Sequence, residues 1–261
     1  MIFHQKLVYQ LLWHTKSVIS DLKKQIIASS DSPYPDLAIL IHTLHAVVDG
    51  IFQNEEEVYN HATQQGKGVG RFRYRDLNGD GNITEADQCI IGDPNPDLSL
   101  GLNLDFAYKG LSLSMFFTSD LGFDIYNTTK RQLNFMSYGN TSCNRGISIL
   151  DAWTPDNTDT DIPAVSLVDN NNETRMSTYF VEDGSYLKLK YIKLGYDLPK
   201  KALTPWHCAG LNIYAQLENV FTATKYTGID PELPLGAYGA RVDNAAYPRA
   251  RTFTLGLSLA F

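Results

Sequence analysis

The most specific chemistry in the sequence lies in one run of residues, Asp76-Leu-Asn78-Gly-Asp80-Gly81-Asn82-Ile83-Thr84-Glu85-Ala86-Asp87. It follows the D-x-N-x-D-G-x-I-x-x-x-D arrangement of an EF-hand-type calcium loop. A hard cation takes roughly six to eight oxygens. Alternate positions supply them: the side chains of Asp76, Asn78 and Asp80, the backbone carbonyl of Asn82, Thr84 through a water, and Asp87 closing the shell. Gly81 permits the sharp turn, and Ile83 is expected to point inward and anchor the loop. Asp87 stands where Glu is usual and reaches less far, which predicts weaker binding. The competing reading is an Asx-rich turn that needs no metal. The preceding Arg71-Phe-Arg-Tyr-Arg75 alternates like a strand, so the loop does not join a helix pair, and a structural role fits it better than switching.

No other constellation reaches that specificity. His42 and His45 stand at i,i+3 on an apolar segment, a spacing more often incidental than ligating. The Gly66-x-Gly68-x-Gly70 run lacks the Lys-Ser/Thr ending of a phosphate cradle, and no G-x-S-x-G elbow is present. Asp230/Glu232 and Glu182/Asp183 read as solvated surface carboxylates. Cys89, Cys143 and Cys208 lie far apart without C-x-x-C spacing, so neither a zinc site nor a disulfide framework is indicated. Catalysis is not expected. A net charge of -7 without any long Lys/Arg run argues against a nucleic-acid partner.

The elements that must carry the loop are mostly strands. Phe253, Leu255, Leu257, Leu259 and Phe261 share one face of the terminal segment, opposite Thr252, Thr254, Gly256, Ser258 and Ala260. The same period-two pattern runs through Asp97 to Tyr108, and Lys109-Gly110 turns it into a hairpin partner bearing Leu111, Leu113, Met115 and Phe117. Ser185 to Tyr196 and Leu211 to Phe221 complete the set, with a slip near Tyr191-Ile192 that reads as a bulge. Upstream, Gln5 to Ile27 carries apolar residues at helical spacing, and Leu37 to Val48 is apolar enough for helix or buried strand. The domain reading is therefore 1–46, a divergent N-terminal segment with helical spacing, and 47–261, the strand region.

Connection lengths between these strands alternate. Tyr108 to Leu111 and Asp197 to Gly210 are short, whereas Thr128 to Gly184 and Thr222 to Arg249 are long. Outer-membrane barrels join strands in this way, with short periplasmic turns and long external loops. A soluble β-sandwich also alternates along its strands and stays open on patterning alone. In the barrel reading Trp153, Tyr138, Tyr179, Tyr226, Tyr238 and Tyr247 fall in external loops, where ring faces could stack on sugars; Trp153, Tyr226 and Tyr238 are the ligand candidates.

Several ordered motifs give the strand region a family likeness. G-I-F-Q-N-E-E-E-V from Gly50, the D-L-N-G-D-G-N-I-T loop, I-G-D-P-N-P-D-L from Ile91 and G-F-D-I-Y-N from Gly122 come first. A-W-T-P-D-N-T from Ala152, D-G-S-Y-L-K-L-K-Y-I-K-L-G-Y-D-L-P from Asp183, Q-L-E-N-V-F-T from Gln216, K-Y-T-G-I-D-P-E from Lys225 and the closing Y-P-R-A-R-T-F-T-L-G-L-S-L-A-F follow. From about Val47 to Phe261 the chain resembles the carboxyl end of SusC/RagA-family proteins. The resemblance implies an all-β antiparallel meander forming the C-terminal part of a large, plugged transmembrane β-barrel in the outer membrane, in contact with its lipid. It further implies import of oligosaccharide or peptide cargo driven by TonB, with a SusD-like lipoprotein as lid.

Neither a plug domain, a TonB-contacting segment nor an export signal is legible, so a truncated gene product or a non-functional remnant is one expectation. A calcium-dependent dockerin-like binding module is another, although such modules normally repeat the loop. About five strands left open in hydrocarbon would expose unpaired N–H and C=O groups at roughly several kcal/mol each. Such a slice is expected to need further strands before it can span a membrane.

Overall fold

The computed structural model describes residues 44–139, 143–199, 203, 208–235 and 240–260. Its backbone is a five-stranded antiparallel sheet built from β5 (Leu98–Tyr108), β6 (Leu111–Leu121), β9 (Tyr186–Asp197), β10 (Gly210–Thr224) and β12 (Thr252–Ala260). The spatial order is β12-β10-β9-β6-β5, so each strand pairs with the next of the set in chain order, as a meander does. Among the described residues the sheet does not close on itself, and β5 and β12 are its two edges.

Register explains the two faces. Across β5 and β6, Leu102 opposes Phe117, Leu104 opposes Met115 and Phe106 opposes Leu113; the intervening pairs are Asn103 with Phe116 and Asp105 with Ser114. Leu257 opposes Ile213 and Leu259 opposes Leu211, extending the apolar face to β12. Phe253, Leu255 and Leu257 remain 66%, 70% and 64% exposed. Among the described residues no second layer covers them, as one would in a sandwich, and side chains this apolar and this bare fit against hydrocarbon. The opposite face is polar, with Ser114 Oγ donating to Asp105 at 2.6 Å and Lys193 lying 4.3 Å from the Tyr214 ring centroid.

The expected slip occurs one residue early. Tyr191 pairs with Phe116 and Leu189 with Phe117, leaving Lys190 as the extra residue of β9 against β6. The same level of β10 is irregular between Glu218 and Phe221. The bulge resets the parity of β9, so Tyr186 and Lys188 before it and Tyr191 and Lys193 after it keep to the polar face.

The hydrophobic core lies mostly outside this sheet, and Tyr186 at the start of β9 reaches into it. All long connections leave from one end, where they fold together with the chain before β5. β1 (Leu44–Ala46) pairs with β4 (Gln88–Ile90), and β2 (Val48–Ile51) with β3 (Phe72–Tyr74). β7 (Asp124–Asn127) joins β8 (Val181–Asp183) and β11 (Val242–Asp243) in a small mixed sheet. Two short helices, α1 (Glu55–Asn60) and α2 (Thr128–Asn134), are capped by Asn54 and Asn127, whose side chains accept from Glu57 and Lys130 N–H.

One aromatic cluster joins Phe72, Tyr74, Tyr126, Phe135, Trp153, Tyr179 and Phe180, and a second joins Phe123, Ile125, Tyr186, Tyr226 and Leu233. Phe72 and Tyr179 approach to 4.9 Å between ring centroids, and Phe135 meets Tyr179 edge-on at 5.8 Å. Aromatic rings bury large areas with few rotatable bonds, which lets irregular loops hold a core. Polar side chains finish the backbone of β3. Gln64 accepts from Tyr74 N–H and donates to the Phe72 carbonyl, while Glu173 accepts from Phe72 N–H.

The segment Leu44–Ala46 lies just before Val47, and Ala46 enters the aromatic core. The helical spacing of 5–27, the rest of the apolar segment 37–43, and Phe261 lie outside the described residues. No described helix is long and apolar enough to cross a membrane, which says nothing of crossing by strands.

Candidate functional site: the acidic loop and the loop cluster

Residues 76–87 form a compact loop held by its own side chains. Asp76 accepts from Gly79 N–H at 2.7 Å and from Gly81 N–H at 2.8 Å, one carboxylate oxygen for each. Asn78 Oδ1 accepts from Asp80 N–H at 2.8 Å, and Asp80 Oδ1 accepts from Asn82 N–H at 2.8 Å. The side chains of Asp76, Asn78 and Asp80 thus each turn an oxygen toward the loop's own backbone, while Asp80 Oδ2 accepts from Asn78 Nδ2 at 2.9 Å.

Asp87 closes the loop from beneath. Its Oδ1 accepts from Leu77 N–H at 2.9 Å and its Oδ2 from Thr84 N–H at 2.8 Å, while Thr84 caps the 3-10 turn at 85–87. The Thr84 hydrogen bond outweighs burial and, with those from Leu77 and Asn78, holds the Asp87 carboxyl below the usual carboxylate range. Thr63 N–H donates to the Gly81 carbonyl and Ile83 N–H to the Thr63 carbonyl, both at 2.8 Å, which ties the loop to the chain after α1. Ile83 packs against the larger aromatic cluster, as its position in the motif requires.

The donor set is oxygen throughout, which suits a hard cation. Among the described residues no three His, Cys, Asp or Glu side chains converge as metal ligands. An ion here would therefore depend on the amide oxygen of Asn78, the backbone carbonyl of Asn82 and Thr84 through a water, as well as on carboxylates.

The aromatic ligand candidates sit elsewhere and do something else. Trp153 is buried, and its indole N–H donates to Gln53 Oε1 at 2.8 Å. Its ring lies so close over Gly70 that a Cβ there would stand 2.7 Å from Cε3. Tyr226 is also buried, and its hydroxyl donates to Asp243 Oδ2 at 2.6 Å. Neither ring offers a face for sugar stacking; both are core residues, a correction to the sequence-based assignment. Tyr238 lies outside the described residues. Tyr179 is buried, while Tyr247 is 93% exposed.

A second correction concerns Asp230 and Glu232, which are not merely solvated. Lys188 is buried on the polar face of β9, and its Nζ lies 3.0 Å from Asp230 Oδ2 and 2.9 Å from Glu232 Oε2. Lys190 also pairs with Glu232, and Arg249 approaches the same carboxylate at 3.7 Å. Burial alone would raise the Glu232 pKa, but hydrogen bonds from Lys190 and Lys188 override it and hold the group low. The visible signal was in β9 itself, where Lys188 and Lys190 interrupt an apolar strand.

An open antiparallel sheet, apolar on one bare face and polar on the other, with every long connection packed at one end, is a slice of a transmembrane β-barrel wall. The comparisons with known proteins agree. The chain is 34% identical over 220 residues to a TonB-dependent receptor of Formosa agariphila, a match covering 81% of this chain and 21% of that protein. It is 31% identical over 207 residues to the TonB-dependent receptor SusC of Bacteroides thetaiotaomicron, covering 79% of this chain and 19% of that one. The RagAB peptide transporter superposes with a TM-score of 0.65 at 26% identity, over 83% of this chain and 22% of that chain. No family model matches.

The matched region belongs to the SusC/RagA family of TonB-dependent receptors. The chain spans about a fifth of the length of the relatives it matches. Receptors of this type are outer-membrane proteins.

Proposed function

We infer that the chain supplies barrel wall and external loops to a TonB-dependent outer-membrane importer of glycans or peptides, working with a SusD-like lipoprotein. The observation that carries this reading is the row Phe253, Leu255, Leu257, bare on one face of β12 while its neighbours face the polar side. Lipid is the solvent that such a row fits, and a closed barrel is the structure that satisfies the free edges of β5 and β12. In such a barrel further strands pair these two edges. Peptide transport by the RagAB structure supports peptide as one cargo class.

Orientation provides the test. Cys143 is exposed in the long connection between β7 and β8, and Lys109 occupies the tight turn at the other end of the sheet. In cells making the receptor that contains this segment, a membrane-impermeant maleimide is expected to label Cys143 from outside. A Lys109→Cys variant on a background in which Cys89, Cys143 and Cys208 are all replaced by Ser should label only after the outer membrane is opened. Labelling of position 109 in intact cells would reject the arrangement.

Calcium in the 76–87 loop completes the proposal, with Asp76, Asn78, Asp80, the Asn82 carbonyl, Thr84 and Asp87 as its ligands. Bound there, the ion would stiffen the external loop by cross-linking its carboxylates, and free calcium outside a cell is abundant enough to fill a site of modest affinity. The inward turn of the three alternate side chains supports this reading. Isothermal titration of the refolded chain with calcium should give heat that an Asp76→Ala/Asp80→Ala variant lacks. Equal heats from both proteins would refute it.

A further inference from the structure

The chain contains a single Asn–Gly dipeptide, Asn78-Gly79. Both residues are exposed at the tip of the acidic loop. Three contacts surround the bond between them. The Gly79 N–H points at Asp76 Oδ1 at 2.7 Å. Asp80 N–H donates to Asn78 Oδ1 at 2.8 Å, and Asn78 Nδ2 donates to Asp80 Oδ2 at 2.9 Å. Gly79 has φ +74, and a Cβ built on it would meet nothing within 4 Å, so space is open around it.

We propose that Asn78-Gly79 is a self-modifying site, converted through a succinimide to aspartate and isoaspartate. The chemistry follows from the contacts. The Gly79 nitrogen attacks Cγ of Asn78 as its proton passes to the Asp76 carboxylate, which acts as general base. Negative charge gathers on Asn78 Oδ1, where the Asp80 N–H is already aimed. The Cγ–Nδ2 bond then breaks, Nδ2 takes up a proton and leaves as ammonia, and the N–Cγ bond closes the five-membered ring. Water opens the ring at either carbonyl. No electrons change hands, and solvent water is the only co-reactant.

The two products have opposite consequences. Aspartate at position 78 places a third carboxylate among the alternate positions 76, 78 and 80, increasing the loop's negative charge. Isoaspartate adds one atom to the backbone between Asp76 and Gly81, and so disturbs the hydrogen bonds by which Gly81 and Ile83 are tied to Thr63. The inference does not depend on calcium binding, because it concerns the metal-free loop.

The test uses the whole refolded chain with EGTA in neutral buffer. Peptide mapping by mass spectrometry, with fragmentation that separates aspartate from isoaspartate, follows each Asn over days. The reference is the same chain in concentrated urea, where the three contacts are lost. Conversion of Asn78 in the folded chain is expected to be at least about threefold faster than in urea, a modest share of what a placed general base supplies. Asp76→Asn keeps an acceptor for the Gly79 N–H but removes the base, and is expected to slow the folded rate while leaving the urea rate unchanged. A folded rate equal to or below the urea rate, or a folded Asp76→Asn rate equal to the parent's, would overturn the proposal.

Discussion

Lys188 Nζ and Asp230 Oδ2 stand 3.0 Å apart, joining a strand of the barrel wall to the long connection between β10 and β12. The lysine side chain is only 2% exposed, and Glu232 holds it from the other side at 2.9 Å. A buried cation of this kind is tolerable only while its partners stay in place. Lys188→Ala removes the charge that keeps Asp230 and Glu232 together, and breaking such a pair costs about 3–5 kcal/mol. Limited proteolysis should then cut between β10 and β12 much earlier than in the parent, with the strands themselves unaffected.

The pH dependence of that latch has a definite sign. Glu232 is held below its ordinary value of 4.5 in the folded protein. A depressed carboxylate contributes stability that is present above the unfolded pKa and lost as pH falls through the folded one. Amide exchange of the connection, taken relative to each amide's intrinsic rate at the same pH, should therefore be steady from neutral pH down to about the ordinary glutamate range, and should accelerate only below it. Acceleration already near pH 6 would mean that another group controls the latch.

The bare face of β12 predicts an asymmetry between neighbouring positions. Leu257→Arg places a charge against lipid and is expected to cost about 2–4 kcal/mol near the bilayer midplane. Ser258→Arg, one residue on, turns to the polar face and should cost far less. Folding of the receptor into lipid vesicles, followed by urea titration, measures both.

Gly256 and Tyr214 form a cross-strand pair in which the tyrosine ring covers the glycine. A Cβ on Gly256 would lie 2.1 Å from the ring's Cζ. Gly256→Val must push that ring aside and break its contact with Lys193, at an overpacking cost of about 1–3 kcal/mol. The midpoint of unfolding should fall accordingly, and Tyr214→Ala in the same chain should restore part of it.

Asp87 tests the loop independently of any ion. Its carboxylate satisfies the N–H groups of Leu77, Asn78 and Thr84. Asp87→Ala leaves them to water alone, which loosens the turn that the carboxylate closes. Exchange at Leu77 and Thr84 should quicken with EGTA present as well as with calcium.

Sequence and structure divide these features by range. Alternation in Thr252–Ala260, Leu98–Tyr108 and Leu111–Leu121 was legible because a strand sends successive side chains to opposite faces, a rule that needs no knowledge of neighbours. The bulge at Lys190 was nearly legible for the same reason, since it shifts the period within one strand. The inward turn of Ile83 follows from spacing inside one loop. Which connections are long could simply be counted.

What tertiary structure alone decided is which distant groups meet. Trp153 looked free for a ligand until Gly70 and Gln53 were seen to enclose it, and Tyr226 until Asp243 received its hydroxyl. Asp230 and Glu232 looked solvated until the register of β9 brought Lys188 beneath them. Periodicity is written along the chain and assigns each side chain to a face. Contact depends on how loops return across tens of residues, and that is fixed only when the aromatic clusters close.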